Sequence, residues 1–162
     1  GLLDLDHKSP RHLIESLCSC RKVGANYLLN IGPTAQGGID PMQGEIMKVI
    51  GQWMNIFGEA IYNGKPYTRC EENRNFILKS DDALYLFFFD LKITGSANVV
   101  VDNGSFGNYA FENVTDRIAS IEWMDNKESL EFMQTGDHLE VKATGFPYGT
   151  HTCVRVAKAP LA

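Results

Sequence analysis

The chain has 162 residues, of which 44% are hydrophobic and 22% are charged, a composition typical of a globular protein. Its net charge of -5 and pI near 5.3 argue against a nucleic-acid or anionic-membrane partner, because both need a basic face. No apolar run approaches the roughly 20 residues of a membrane-spanning helix, so no membrane partner is expected.

The first part of the chain has the periodicity of a helix followed by a strand. Ser9 can cap the helix, and Pro10 occupies the first helical position, where a missing N–H costs nothing. Gly24 suits a left-handed helix stop. Residues 27–31 then form a nearly continuous apolar run of strand length, which is typical of a parallel strand covered on both faces.

A second helix is predicted after this strand. Asp40 and Pro41 mark its start, and Gln43 completes a pattern like a capping box. Apolar residues then recur at spacings of three and four as far as Phe57, and Gly58 is predicted to end the helix. A helix, a strand and a helix in this order indicate a piece of an alternating α/β fold.

The pattern changes to alternation and turn residues in the second half of the chain. We place short strands at Phe76–Lys79, Ala83–Phe89 and residues 97–101, 118–123, 131–134, 139–142 and 152–156. Strands of this length with turn signals between them are typical of an antiparallel β-sandwich. The predicted division is an α/β part at residues 1–62, a linker at 63–66 and an all-β domain at 67–162.

The predicted strand at residues 27–31 raises a problem. A single strand between two helices has both edges unpaired, and its backbone N–H and C=O groups then lack partners. The first 62 residues must therefore complete a sheet that lies elsewhere, on another chain or in the remainder of a longer protein.

Two stretches carry a recognisable pattern: residues 26–41, NYLLNIGPTAQGGIDP, and residues 50–66, IGQWMNIFGEAIYNGKP. They closely resemble the α-L-fucosidases of glycoside hydrolase family twenty-nine. That family has a Gly-Asn-Leu-Leu-Leu-Asn-Ile-Gly-Pro-like strand, a Gly-x-Ile-Pro-Pro-like loop and a Gly-x-Trp-x-x-x-x-Gly-Glu-Ala-Ile-Tyr helix end. Ala25 stands where the family usually has glycine and Asp40 where it often has proline, both at element ends.

The resemblance implies a (β/α)8-like catalytic barrel followed by a β-sandwich. Residues 27–31 would be the final barrel strand and residues 42–57 the final barrel helix. The expected fold class is therefore α/β plus all-β: the last helix–strand–helix of a (β/α)8-like barrel, then an antiparallel β-sandwich. Since a whole barrel needs roughly 250 residues, the chain is expected to be the C-terminal part of an enzyme. Its expected partner is the rest of the barrel, as a missing N-terminal part or a separate chain.

The resemblance also implies a retaining enzyme that removes terminal α-L-fucose from fucosylated oligosaccharides or glycoconjugates. The family's nucleophile and acid/base residue lie upstream of this chain, so we assign no catalytic residue here and expect the chain alone to be inactive. The acidic pairs in the chain are expected to be solvated surface groups. They are Asp4 with Asp6, Glu71 with Glu72, Asp81 with Asp82, and Glu112 with Asp116.

Asn30 is the one candidate for substrate binding, because a polar side chain near the C-terminal end of a barrel strand lies where barrel active sites are built. The alternative, which we favour, is a buried amide that holds the loop at Gly32 and Pro33 through backbone hydrogen bonds. Trp53 and Trp123 are expected to lie in the core rather than to serve as sugar-stacking platforms.

Other chemical motifs are sparse. No histidine or cysteine spacing matches a metal site, and we expect neither a metal nor a cofactor. The four cysteines are expected to be free thiols. Two sequons, Asn103-Gly104-Ser105 and Asn113-Val114-Thr115, would matter only in a eukaryotic secretory pathway.

Two other functions stay open. A free-standing carbohydrate-binding module would account for the β-sandwich, but not for the parallel strand and its two capped helices. A structural or interaction domain would use the α/β part to dock onto a partner chain that carries the other barrel strands.

Overall fold

In the computed structural model, which describes residues 6–70, 72–96, 98–99 and 106–162, two helices lie on one face of a β-sandwich. The helices are α1 (Pro10–Lys22) and α2 (Pro41–Asn63). The strands are β1 (Lys65–Arg69), β2 (Phe76–Lys79), β3 (Ala83–Phe89), β4 (Ile93–Thr94), β5 (Phe106–Phe111), β6 (Glu122–Trp123), β7 (Glu131–Thr135), β8 (His138–Thr144), β9 (Phe146–Pro147) and β10 (Val154–Pro160).

The strands form two antiparallel sheets and one short parallel pair. The larger sheet has the order β1-β2-β3-β10-β6, and the smaller has the order β5-β8-β7. Strands β4 and β9 make the parallel pair. The larger sheet is the middle layer, with the helices on one side and the smaller sheet on the other. The antiparallel sandwich that follows the helices confirms the predicted fold class.

Strand β3 lies in the middle of the larger sheet and is buried along its whole length. Leu84, Leu86 and Phe88 face the core of the sandwich, whereas Tyr85 and Phe87 face the helices. A strand that is covered on one face alternates apolar and polar residues, and a strand that is covered on both faces is apolar throughout. The continuous run ALYLFFF therefore follows from helices packing on the outside of the sandwich.

The helices contribute large side chains to this contact. Cys18 from α1 and Trp53, Phe57 and Ala60 from α2 are buried against the outer face of the sheet. Trp123 is fully buried on the other face, among the residues of the sandwich core. Both tryptophans are thus core residues, as predicted. Neither α1 nor α2, the two helices of the described ranges, is long and apolar enough to cross a membrane.

The helix starts agree with the sequence, but one helix end differs from the prediction. Ser9 caps α1 by accepting a hydrogen bond from the His12 N–H at 3.2 Å, and Gly24 has a φ of +74° just after the helix. The prediction that Gly58 ends α2 is wrong, because α2 continues to Asn63. The extra turn buries Ala60 and Ile61 against the sheet, which outweighs the low helix propensity of one glycine.

Residues 27–31 form no strand with any other part of the described chain. A strand exists only where a neighbour completes its hydrogen bonds, and the segment has no neighbour here. Residues 27–31 have the sequence pattern of a buried strand, but the described residues contain no strand that pairs with them. This is the unpaired-strand problem that the sequence raised.

Some of the predicted strands are confirmed, and others differ from the prediction. Phe76–Lys79 and Ala83–Phe89 are confirmed as β2 and β3, while the strand predicted at 118–123 is reduced to Glu122–Trp123. The strand predicted at 97–101 lies largely outside the described residues, and Asn98 and Val99 within it form a turn. Strand β1 is absent from the predicted strands, which begin at Phe76. Proline is tolerated there since β1 is an edge strand with a bulge after Pro66.

A single residue, Gly64, separates α2 from β1. The predicted linker at residues 63–66 thus comprises the last residue of α2, Gly64 and the first two residues of β1. A Cβ atom on Gly64 would lie 2.6 Å from the carbonyl oxygen of Ala60 and 2.6 Å from the Cβ of Leu78. Both contacts are too short to exist, so only glycine allows this close approach of the helix end to β2.

We expect Gly64→Ala to destabilise the chain by about 1–3 kcal/mol, because the added methyl group overpacks a rigid backbone contact. The matched control is Gly51→Ala, since Gly51 lies inside α2 with nothing within 4 Å of an added Cβ. That control should stabilise the chain by up to about 1 kcal/mol through helix propensity. Urea unfolding of both variants measures the difference, and equal stability of the two would contradict the steric argument.

A buried arginine links the two sheets of the sandwich. Arg155 on β10 has no exposed side-chain surface, and its Nε donates to Asp125 Oδ2 at 3.0 Å. Its Nη1 donates to the carbonyl of Gly145 at 3.1 Å, and its guanidinium lies 4.1 Å from the ring centroid of Trp123. The indole N–H of Trp123 in turn donates to Thr144 Oγ1 at 2.7 Å. This network joins β10 to the end of β8.

We expect Asp125→Ala to cost about 3–5 kcal/mol, because it leaves the charge of Arg155 buried without a counterion. The double variant Asp125→Ala with Arg155→Met should recover most of that loss, since it removes both charges. Glu131→Ala is the control: Glu131 pairs with Lys142 but is 81% exposed, so the change should stay below about 1 kcal/mol. A double variant as unstable as Asp125→Ala in chemical denaturation would refute this account.

Candidate functional site

The part of the chain with the clearest functional character is the side of the helices that faces away from the sandwich. Large apolar side chains are exposed there. Leu28 is 87% exposed and Ile39 is 61% exposed. The others in this part of the chain are Val23, Ile31, Met42, Met47, Val49, Ile56 and Tyr62. Exposed apolar side chains in such number mark an interaction surface.

A small cavity, which we call the open cleft, lies on this side between residues 29–31 and the two helices. It has a volume of about 140 Å³. Leu13 of α1, Met47 of α2 and Ile31 are among its apolar lining residues. The polar groups around it come from residues 6–8, Asn30 and Gln43. The apolar segment therefore lies along the helices without filling the space beside them.

The side chains of residues 27–30 alternate in exposure. Tyr27 and Leu29 are half-buried, and Leu28 and Asn30 between them are exposed. Burial raises the pKa of the Tyr27 hydroxyl. An alternation of period two is that of a strand whose one face rests on helices. Asn30 therefore lies on the open side, together with Leu28.

The loop after this segment is held by Thr34, not by Asn30. The Thr34 N–H donates to the carbonyl of Gly38 at 2.8 Å, and Thr34 Oγ1 accepts from the Gly38 N–H at 3.0 Å. Gly37 has a φ of +80°, which lets the chain reverse. Asn30 is exposed, so the buried amide that we favoured is not found in this chain. Its assignment to substrate binding stays a prediction.

Asp40 caps α2 as the sequence predicts. Its Oδ1 accepts hydrogen bonds from the N–H groups of Met42 at 3.0 Å and Gln43 at 3.2 Å. The reciprocal bond of a capping box is absent, because the Oε1 of Gln43 is buried and accepts no hydrogen bond from the described residues. The Gln43 amide therefore has unused hydrogen-bonding capacity at the wall of the open cleft.

The acidic residues form no catalytic pair in the described part of the chain. Asp116 binds Lys79 at 2.7 Å, Glu112 binds His138 at 2.7 Å, and Asp82 accepts from the Ser80 hydroxyl at 2.7 Å. These bonds lower the pKa of Asp116 and of Asp82. A general acid at neutral pH needs a raised carboxyl pKa, so Asp116 and Asp82 lack that property. Asp4 and Glu71 lie outside the described residues.

Other reactive groups are dispersed. Within the described ranges, no three histidine, cysteine, aspartate or glutamate side chains lie close enough to hold a metal ion. All four cysteines are free thiols, as the sequence suggests. Burial raises the pKa of the Cys153 thiol to about 11, so it is protonated at neutral pH. The exposed apolar side chains around the open cleft are therefore the candidate site that the described residues offer.

Polar contacts of Trp53, Glu59 and Glu15 help to fix the helices to the sandwich. The indole N–H of Trp53 donates to the carbonyl of Val154 at 2.9 Å. Glu59 accepts from Lys158 Nζ at 2.6 Å and from the hydroxyl of Tyr85 at 2.7 Å. The third contact joins α1 to the loop before β2 through Glu15 and Arg74, at 2.9 Å. The two helices are therefore held in a fixed orientation on the sheet.

Sequence reasoning missed these anchoring residues, although one signal was available. Glu59 belongs to the Gly-Glu-Ala-Ile-Tyr element at the end of the second helix, where a charged residue interrupts an apolar stretch. Its partners, Tyr85 and Lys158, lie 26 and 99 residues further on. No local pattern identifies such distant partners.

Glu59 makes the docking of α2 dependent on pH. The hydrogen bond from Lys158, then that from Tyr85, holds the pKa of Glu59 below its ordinary value of 4.5. Its stabilisation is therefore complete above about pH 4.5 and is lost as the pH falls through the lower folded-state pKa. We expect Glu59→Gln to show a smaller loss of stability than the parent between about pH 5 and about pH 3.

The Glu59 effect should amount to a few tenths of a kcal/mol, because the side chain is 43% exposed. The measurement is urea unfolding at several pH values. Glu45→Gln is the control, since Glu45 pairs with Lys48 on the same helix and is 70% exposed. An identical pH profile for the parent and Glu59→Gln would show that the contact carries no pH dependence.

Comparison with known proteins relates this architecture to one family. The sequence profile of the α-L-fucosidases matches residues 3–59. The tissue α-L-fucosidase of Rattus norvegicus is 38% identical over 90 residues, which cover 54% of this chain and 20% of the rat protein. The chain matches the C-terminal part of the α-L-fucosidases.

The tissue α-L-fucosidase of Homo sapiens is 37% identical over 102 residues, covering 61% of this chain and 22% of the human protein. The chain thus spans about a fifth of the length of the curated α-L-fucosidases it matches.

Solved α-L-fucosidase structures extend the likeness to the sandwich. Isoenzyme 1 from Paenibacillus thiaminolyticus aligns with a TM-score of 0.72 at 21% identity, covering 99% of this chain and 36% of that one. A family twenty-nine enzyme from Bacteroides thetaiotaomicron aligns with a TM-score of 0.72 at 17% identity, covering 96% and 33%. At these identities the likeness is one of fold, and it includes the helices and the sandwich together.

Proposed function

We propose that this chain closes and braces the catalytic barrel of a retaining α-L-fucosidase that hydrolyses terminal α-L-fucose from glycans. The observation that carries the proposal is the apolar segment at residues 27–31. It lies inside the family match, has the alternation of a strand and, among the described residues, has no strand beside it. A neighbouring barrel strand would supply its missing hydrogen bonds.

Closure of the barrel accounts for the exposed apolar side chains. In a (β/α)8 barrel, one face of each strand packs on the outer helices and the other face fills the interior. Tyr27 and Leu29 already rest on the helices, so Leu28 and Asn30 would point into the barrel. Asn30, near the C-terminal end of the strand, would then lie at the active-site end. This supports the assignment of Asn30 to the substrate side.

The sandwich supplies the bracing. The polar contacts of Trp53, Glu59 and Glu15 with the larger sheet hold both helices in place. In a barrel that closes on these helices, the last strand and the helices would then have a fixed orientation relative to the sandwich. The sandwich would in this way position the last strand without touching the substrate.

The chemistry would come from the upstream part of the enzyme. Retention requires two carboxyl groups roughly 5–5.5 Å apart, and the acidic residues described above pair instead with cations and hydroxyl groups. The Bacteroides thetaiotaomicron relative has been trapped as a covalent intermediate with 2-fluoro-fucosyl fluoride. A Thermotoga maritima relative has been crystallised with fucose. Both findings support fucose as the substrate sugar, and the trapped intermediate supports a covalent, retaining route.

The competing assignment, a carbohydrate-binding module, draws little support from the two tryptophans. Trp53 is 4% exposed and Trp123 is fully buried, so neither offers a face on which a sugar could stack. Most of the exposed large apolar side chains among the described residues lie on the helices and the adjoining segment, which such a module does not require.

The proposal is tested by restoring a complete barrel. The rat tissue α-L-fucosidase is truncated before the region that matches this chain, and the chain is fused in its place. We expect the fusion to hydrolyse an aryl α-L-fucoside, whereas the truncated rat enzyme and the chain alone should show no turnover. Significant hydrolysis by the chain alone would contradict the proposal.

A single substitution separates docking from folding. Leu28→Asp should leave the stability of the isolated chain within about 0.5 kcal/mol, because Leu28 is 87% exposed. In the fusion it should lower activity by roughly tenfold or more, because a carboxylate would be buried without a partner. The matched control is Met133→Asp, since Met133 is 58% exposed on β7 of the sandwich. Equal activities of the two fusions would argue against burial of Leu28 in a barrel.

A further inference from the structure

We propose that Asn113 accepts an N-linked oligosaccharide when the chain passes through a eukaryotic secretory pathway. Asn113, Val114 and Thr115 form a sequon, in which the middle residue is not proline and a hydroxyl follows two residues after the asparagine. Such a match is only a hypothesis until its structural setting is known. Accessibility in the folded protein is the first requirement, because a glycan is bulky and must lie on the surface.

The loop after β5 presents Asn113 outward. Val114 is fully buried in the core of the sandwich, and its N–H donates to the carbonyl of Asp137 at 2.8 Å. Asn113 has a φ of +62°, a left-handed conformation that asparagine tolerates better than most residues. Its side chain is exposed, and no described residue hydrogen-bonds its amide. The buried valine anchors the loop while the neighbouring amide faces solvent.

The loop that carries Asn113 is separate from the residues of the proposed barrel contact. Asn113 follows β5 of the smaller sheet, and the residues on either side of it contact β1: Glu112 accepts from Thr68, and Thr115 lies beside Tyr67. A glycan attached there would leave the sandwich at the edge where this loop meets β1. The proposal rests on this loop and does not depend on the barrel contact.

The modification step balances as a glycosyl transfer. The amide nitrogen Nδ2 of Asn113 attacks the anomeric carbon of an oligosaccharide carried on a lipid pyrophosphate. The new C–N bond forms as the bond between that carbon and the pyrophosphate oxygen breaks. The lipid pyrophosphate leaves with the electron pair, and one amide proton passes to a base of the transferase. No oxidant or reductant takes part.

The contacts of Thr115 place the transfer before folding. In the folded chain Thr115 Oγ1 lies 3.2 Å from the hydroxyl of Tyr67, and the Thr115 N–H donates to the same hydroxyl at 3.0 Å. A third bond to that hydroxyl comes from the N–H of Asp116, at 3.2 Å. The Thr115 hydroxyl is thus engaged once β1 has docked, so the transferase must act on the nascent chain.

The test expresses the full chain behind a secretory signal in cultured animal cells, with Asn103→Gln removing the other sequon. Cell lysate and medium are both treated with an amidase that cleaves N-linked glycans. We expect one mobility shift on treatment and conversion of Asn113 to aspartate by mass spectrometry. The shift should persist in Thr115→Ser and be lost in Asn113→Asp, a substitution suited to the left-handed conformation.

Retention of the chain inside the cell does not affect the test, because transfer precedes folding and the lysate reports it. A translocated chain whose mass in both fractions equals that of the unmodified polypeptide would overturn the proposal. So would a shift that survives Asn113→Asp, since the glycan would then be attached elsewhere.

Discussion

The structure depends on one constraint: the middle sheet has to be covered on both faces. Leu86 and Phe88 of β3 face the sandwich core, and Tyr85 and Phe87 face the helices. Apolar surface contributes roughly 25 cal/mol per Å² when it is removed from water, so an uncovered face of this sheet would be costly. The helices are therefore as much a layer of the sandwich as the smaller sheet is. Their outer side, which carries Leu28, is left for a further contact.

Because the helices pack on the sandwich, they belong to the same packed unit as the β-sheets, unlike in the division predicted from the sequence. The family resemblance assigns α1 and α2 to a barrel, and their packing in this chain joins them to the sandwich through Trp53 and Phe57. Both descriptions hold if the helices are shared, with one side on each body. A shared layer explains why α2 runs past Gly58, because the additional turn carries Ala60 and Ile61 onto the sheet. In the proposed barrel, the role of the sandwich would be to fix the orientation of the helices that it touches.

Sequence reasoning recovered what local patterns determine. The caps at Ser9 and Asp40 depend on neighbours two or three residues away, and the apolar run of β3 is visible as a run. It failed where a partner is distant or missing. Residues 27–31 have the composition of a strand but lack the neighbour that would make them one. Strand β1 was missed because part of it lies in the predicted linker at residues 63–66, and only the sheet order shows that this segment is an edge strand. The partners of Glu59 were not visible at all, and neither was the buried contact of Arg155 with Asp125, because both depend on how the sheets pack.

The single residue between α2 and β1 has a further consequence, for how such enzymes can exchange parts. Gly64 is the whole connection between α2 and β1. Separating the chain there would remove the helices from the outer face of the sheet and would expose Trp53 and Phe57 on the helix. Recombination between relatives at this point would join a helix from one parent to a sheet from another, with a core that neither had shaped. A viable crossover has to fall before α1, so that both helices travel with the sandwich. The segment that relatives could exchange as a unit is then larger than the β-domain that the sequence suggests.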